Sequence, residues 1–161
     1  MDKNHDKNTS FSQKRIFEFN GKRMDFSVPR VMGIVNVTPD SFYDWTIGRL
    51  DGLASRRFED WLSGKLGDLM HRVEEMISTG AYIVDIGAVS TRPGAAEVSE
   101  DEEKRRLLPV LKETRKTYPE LIISIDTYRA EIAEMAAGEG ADIINDISGG
   151  TFDSNMLATA I

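Results

Sequence analysis

Residues 121–147, LIISIDTYRAEIAEMAAGEGADIINDI, decide the architecture. Two short runs, Leu121–Asp126 and Asp142–Ile147, are nearly continuous in apolar residues, as expected for parallel strands covered on both faces. Between them Arg129–Glu139 reads as a helix closed by Gly140 at a C′ position. Strand, helix and strand in this order make a βαβ unit, and the same pattern recurs upstream. Val31–Val37 (VMGIVNV) and Tyr82–Ala88 (YIVDIGA) are further strands of the same kind. Phe58, Trp61, Leu62, Leu66, Leu69, Val73, Met76 and Ile77 recur at spacings of three and four, which predicts a helix over 58–78. Gly64 and Gly67 weaken the first half of that helix. Ser99 followed by Glu102 is a capping box opening a helix that runs to about Thr117. Asp153 reads as the N-cap of a fourth helix beginning with Met156, Leu157 and Ala160.

Ahead of these units, Arg15-Ile-Phe-Glu-Phe and Lys22-Arg-Met-Asp-Phe-Ser are separated by Asn20-Gly21, a strong hairpin signal, and Pro29 ends the second run. The expected fold is therefore α/β: four successive βα units behind a hairpin, with a parallel sheet. A closed eight-unit barrel typically needs about 250 residues, and this chain has 161. Half a barrel or a small open sheet is expected, and the abrupt end, two turns into the last helix, predicts a truncated chain.

Composition removes several functions. Twenty Lys and Arg against 27 Asp and Glu leave a net charge of −7, the wrong sign for binding nucleic-acid backbones. No stretch approaches the roughly 20 apolar residues of a membrane span. The absence of cysteine excludes disulfides and thiolate metal sites, and His5 and His71 lie too far apart to suggest a histidine cluster. Residues 1–12 are polar, without an apolar core, which predicts a disordered tail and no signal peptide. A cytoplasmic setting is the default.

In parallel α/β folds ligands meet the C-terminal ends of strands, and every strand here carries polar residues there. The first ends Asn36-Val-Thr-Pro-Asp-Ser-Phe. The second contains Asp85 and runs into Ser90-Thr91-Arg92-Pro93-Gly94. The third ends Asp126-Thr127, and the fourth contains Asn145-Asp146. A carboxylate such as Asp126 can accept two parallel hydrogen bonds from an amino-pyrimidinone edge, and Asn145 can donate and accept against the same ring. Asn36 offers an amide oxygen, a hard ligand for Mg²⁺. Ser90, Thr91 and Arg92 supply hydroxyls and a guanidinium suited to phosphate. Together they suggest a flat heterocycle deep in the site and a diphosphate near the mouth.

These stretches closely resemble the first half of dihydropteroate synthase. VMGIVNVTPDSF, GAYIVDIGAVSTRPGAAEVSEDEEKRR and ISIDTYRAEIAEMAAGEGADIINDISGG follow in that family's order. The resemblance runs from about Gly21 onward, so residues 13–161 would be the N-terminal part of a pterin-binding TIM (β/α)8 barrel. It implies condensation of 6-hydroxymethyl-7,8-dihydropterin diphosphate with p-aminobenzoate, the folate-synthesis step blocked by sulfonamides. By motif, Asn36 would assist Mg²⁺ and the diphosphate, Thr91 would contact the pterin diphosphate, and Asp126 and Asn145 would hold the ring. Ser90, Arg92 and Pro93 would belong to a mobile loop closing over p-aminobenzoate. No residue is assigned to a covalent step.

The sequence departs from the family in three places. Trp45–Glu59 is longer than the family's short Gly-rich connection. Val89 stands where an acidic residue is common. The further pterin-binding Asp, the Lys and the Arg-x-His motif of the family's second half have no counterpart within these 161 residues. Taken singly, Asp126-Thr127 reads equally as a helix cap, Asn145 as a backbone-satisfied buried residue and Asn36-Val-Thr-Pro-Asp as a turn. Asp85 reads as part of the barrel's inner layer. The charged run Ser99–Arg106 reads as a solvated helix start, and Trp45, Trp61 and His71 as packing or surface residues. Competing functions are a pterin-binding methyltransferase domain and a non-catalytic or truncated pterin-binding fragment. Pairing of two half-barrels into a homodimer would cover the open strand edges that such a fragment leaves.

Overall fold

Gly21, at φ +75°, turns the chain between β1 (Ile16–Phe19) and β2 (Lys22–Asp25), a conformation that costs glycine little. The two strands pair antiparallel, Ile16 opposite Asp25 and Phe19 opposite Lys22. This hairpin matches its Asn-Gly signal. The computed structural model describes residues 15–19, 21–38, 54–89 and 97–160; the expected tail at 1–12 lies outside them.

The hairpin leads into β3 (Val31–Asn36), β4 (Ala81–Gly87), β5 (Ile122–Asp126) and β6 (Ile143–Asn145). These form one parallel sheet in the order β3-β4-β5-β6. The connections run through α1 (Ala54–Ser78), α2 (Glu100–Thr117) and α3 (Ala130–Gly138), and α4 (Met156–Thr159) follows β6. The predicted α/β order is thus present, with three differences. α1 begins at Ala54 instead of 58 and passes Gly64 and Gly67 without a break; both point into open space, so neither loses a packing contact. β6 is only three residues long, because the Asp146 carboxylate accepts from Ser148 N and Gly150 N and turns the chain out of the ladder. Burial on both faces fails for β3, an edge strand, where Val31 and Ile34 are 62% and 57% exposed.

Alternate residues face opposite sides of the sheet. The outer side supplies Val35, Val37, Val84, Ile86, Ile123 and Ile125, packed beneath Leu69 and Val73 of α1, Leu107, Val110 and Leu111 of α2, and Ile132 and Ala136 of α3. On the inner side the hairpin covers the N-terminal strand ends, where Met24 packs on Ile83 and Ile122 with Tyr82 and Ile143 at the margin. The C-terminal ends of the same face are left uncapped by the hairpin. Among the described residues no helix is long and apolar enough to cross a membrane.

Asp142 fastens the hairpin to the sheet. Its side chain is nearly fully buried and accepts from Lys22 Nζ at 2.8 and 2.9 Å, Arg115 Nη2 at 2.6 Å and the backbone N–H of Ile123 at 3.0 Å. Lys22 Nζ also donates to Leu121 O, and Arg115 to the carbonyls of Pro119, Leu121 and Gly140. Removing one side of a buried ion cluster leaves the other side uncompensated. Asp142→Ala is therefore expected to cost about 3–5 kcal/mol in urea unfolding. A loss under about 1 kcal/mol, the scale of exposed pairs, would mean that solvent replaces the carboxylate.

Candidate functional site

The parallel register aligns Asn36 with Gly87, Gly87 with Asp126, and Asp126 with Asn145. They form a single row across the C-terminal ends of all four parallel strands. Two residues earlier lies a second row on the same face, Ile34, Asp85, Ser124 and Ile143. The structure therefore brings together Asn36, Asp126 and Asn145, three of the residues expected in a site.

Gly87 makes the row possible. A Cβ there would lie 3.3 Å from both Cβ and Oδ2 of Asp126, so a side chain would press on the carboxylate. Asp126 is half-buried and accepts no hydrogen bond from any described residue. Burial foremost, then the negative charges of Asp85, Glu103 and Asp146, push its carboxyl up to about 6 from an ordinary 3.8. A carboxylate held in this way has its acceptor capacity unspent. Asn145 donates through Nδ2 to Asp85 Oδ2 at 3.1 Å. Asp85 is 3% exposed, and its Oδ1, like Ser124 Oγ beside it in the ladder, is buried without a partner among the described residues.

The turn after β5 is fixed from behind. Thr127 Oγ1 donates to Glu103 Oε1 at 2.7 Å and accepts from Arg129 N at 3.2 Å. Arg129 pairs with Glu103 Oε2 and donates to Val98 O. Glu103 is thus buried, which corrects the reading of Ser99–Arg106 as wholly solvated. A signal was present: Glu103, Leu107, Val110, Leu111 and Thr114 share the buried face at helical spacing. Ser99 does cap α2, accepting from Glu102 N, but the Glu102 side chain pairs with Arg106 instead of closing the box. Asp126 caps nothing. The first N–H of α3, that of Ala130, goes to Asp153 Oδ2 at 2.8 Å. Asp153 thereby serves α3 and, through Asn155 N, the turn before α4; it is not the N-cap of α4, where Asn155 stands. These backbone bonds, Ala130 foremost, hold its carboxyl below the usual range. For Asp146 burial acts upward, but the bonds from Ser148 and Gly150 outweigh it and lower the carboxyl.

Asn36 is exposed at the end of β3. It borders a cleft of about 420 Å³ between β3 and α1, with Ile34, Arg72 and Met76. A second cleft, of about 580 Å³, lies at the hairpin end among Gly21, Tyr82, Tyr118 and Leu121. Neither includes Asp126 or Asn145. Ser90, Thr91, Arg92 and Pro93 lie outside the described residues, as do residues 45–53 of the Trp45–Glu59 segment; 54–59 form the start of α1. Among the described residues no group of three or more His, Cys, Asp and Glu could hold a metal ion.

A parallel sheet with helices on one face and a polar row at its strand C-termini defines a ligand-binding protein of the βα-barrel type. The profile of the pterin binding enzyme family matches residues 32–161, and the chain belongs to that family. It is 47% identical over 130 residues to dihydropteroate synthase of Bacillus subtilis, covering 81% of this chain and 40% of that protein. The structure of Xanthomonas albilineans dihydropteroate synthase with 4-aminobenzoic acid superimposes with a TM-score of 0.73 at 32% identity, over 91% of this chain and 48% of that one. The Yersinia pestis enzyme in complex with a sulfonamide drug gives 0.71 at 36%, over 90% and 46%. The chain thus spans less than half of each of these relatives.

Because Asp126 binds its proton more tightly folded than unfolded, it opposes folding increasingly as pH rises from about 4 to 6, and fully above that. A carboxyl ¹³C titration is expected to place its inflection near 6. Asp126→Asn should remove that fall in stability between pH 4 and 6. An Asp126 inflection at or below 4 would contradict the site electrostatics described here.

Proposed function

We propose that this chain is the pterin-binding part of a dihydropteroate synthase of folate biosynthesis. The observation that carries the reading is the row Asn36–Gly87–Asp126–Asn145, with the Asp126 carboxylate free of any described hydrogen-bond partner. Its two acceptors match the adjacent N–H and NH₂ of a pterin ring, and the Asn145 amide oxygen adds a third. That the matched relatives are dihydropteroate synthases favours this chemistry over methyl transfer.

In the proposed reaction, 6-hydroxymethyl-7,8-dihydropterin diphosphate and p-aminobenzoate give 7,8-dihydropteroate and diphosphate. The methylene C–O bond breaks and diphosphate leaves with its electron pair. The amine nitrogen forms the new C–N bond and then loses a proton. Asp126 and Asn145 hold the ring while positive charge develops on it, and the negative charges of Asp85 and Asp146 favour that cation. Thr91 with Ser90 and Arg92 would bind the diphosphate, and Pro93 would help shape the loop over p-aminobenzoate. Asn36 fits a Mg²⁺ carried chiefly by diphosphate oxygens and water, since a single amide oxygen beside the row suits a hard ion that keeps its own shell. Such an ion supplies charge neutralisation on the leaving group. Sulfonamides would compete for the p-aminobenzoate position. The lack of cysteine suits a cytoplasmic setting.

Thermal melts with and without Mg²⁺ and the pterin diphosphate test the binding, since a ligand selective for the folded chain raises the transition. A ligand-dependent rise is expected for the wild-type chain and none for Asp126→Ala. Affinity should fall by up to about tenfold per pH unit below 6 as Asp126 takes up its proton. A melt indifferent to the ligand at pH 7.5 would overturn the reading. Formation of dihydropteroate by the purified chain is the separate test of catalysis.

A further inference from the structure

We propose that Asp85 is a positioning residue that sets the ring selectivity of the site by locking the Asn145 side chain in one orientation. The proposal rests on the pterin reading above and deepens it. An asparagine amide is ambiguous to a ligand: turned one way it offers an acceptor, turned the other a pair of donors. A carboxylate offers only acceptors, so the group that faces Asp85 Oδ2 at 3.1 Å must be Nδ2. Oδ1 of Asn145 is then left as the group available to a ligand. With the Asp126 carboxylate next in the row, these two neighbouring side chains present acceptors to a ring edge. The pair therefore favours a heterocycle edge made of N–H donors over one carrying a carbonyl there, because acceptors would face each other.

Burial makes this orientation binding. Asp85 sits in the inner row at 3% exposure, one step below Asn145, and among the described residues no lysine or arginine pairs with it. Its Oδ2 is committed to Asn145, while Oδ1 and the neighbouring Ser124 Oγ have no partner among the described residues. A buried carboxylate oxygen left open on the ligand-facing side of a sheet makes a floor that accepts a further donor. Among the described residues the charges acting on Asp126 are all acidic: Asp85 from β4, Glu103 from α2 and Asp146 from the turn after β6. Removing the Asp85 charge should accordingly move the Asp126 inflection below 6, a change that loss of packing alone would not produce.

The test is a double-mutant cycle on the full chain with 6-hydroxymethylpterin as probe, read by ligand fluorescence at pH 7.5. Asp85→Asn and Asn145→Ala are each expected to weaken binding about ten- to hundredfold, and the double variant no more than the worse single one. Lumazine, which carries a carbonyl in place of the pterin amino group, should bind the wild-type chain at least about tenfold more weakly, and Asp85→Asn should narrow that gap. Additive losses, or an unchanged pterin-to-lumazine ratio in Asp85→Asn, would overturn the inference. Should the Asp85 variant fail to fold, the Asn145 side-chain NH₂ resonances of the wild-type protein decide the matter without ligand. One proton protected from exchange supports the lock, and a freely exchanging amide overturns it. If the wild-type chain binds no pterin at all, the functional reading fails while the amide measurement still decides the Asp85–Asn145 contact.

Discussion

The in-register pairing of the four parallel strands is the constraint on which everything else depends. Because side chains alternate along a strand, a slip of one residue would move every functional group to the helix-covered face. The slip is forbidden by the outer side. Val84, Ile86, Ile123 and Ile125 are all sealed beneath the helices, and exchanging them for Asp85, Ser124 and Asp126 would bury charge in hydrocarbon. The apolar core therefore aims the site from the opposite face of the sheet. Gly87 completes the alignment by leaving the space that the Asp126 carboxylate occupies.

Two ionic clusters brace the strand ends, and they do different work. Asp142 gathers Lys22, Arg115 and a strand N–H, tying the hairpin to the N-terminal end of the sheet. Glu103 gathers Thr127 and Arg129 at the C-terminal end of β5, directly behind Asp126. The first cluster closes the end of the sheet where no chemistry is expected. The second fixes the turn that begins one residue after Asp126 and adds its charge to the field around that carboxylate. Rigid backing of this kind keeps a ligand group in place without using that group's own hydrogen bonds.

Much of this was legible in the sequence because it depends on local pattern. Strand and helix order followed from apolar runs and three-four spacing, and the hairpin from Asn20-Gly21. The residues of the row were recognisable because polar side chains at strand ends break an otherwise apolar run. What escaped depends on partners distant in sequence. Glu103 looks solvated until Thr127 and Arg129, more than 20 residues on, are brought against it. Asp153 resembles the cap of the helix it precedes, yet its carboxylate serves Ala130, 23 residues earlier. Asp85 does lie in the inner layer as read, but its bond to Asn145, 60 residues away, leaves no local signature. Exposure of β3 does not show in its apolar run, although the open edges of half a barrel imply it.

The hairpin carries a consequence for the order of assembly. Lys22 is made early in synthesis, yet its carboxylate partner lies 120 residues downstream. At about 5–20 residues per second the ribosome needs several seconds to supply that partner. Until β5 and β6 exist, Met24 has no Ile122 to cover it and Lys22 lacks Asp142, so the hairpin docks only after strands made well after it. The β3–α1–β4 unit closes over a shorter stretch of chain and can form first. The hairpin therefore stays undocked on the growing chain until both strands have followed it.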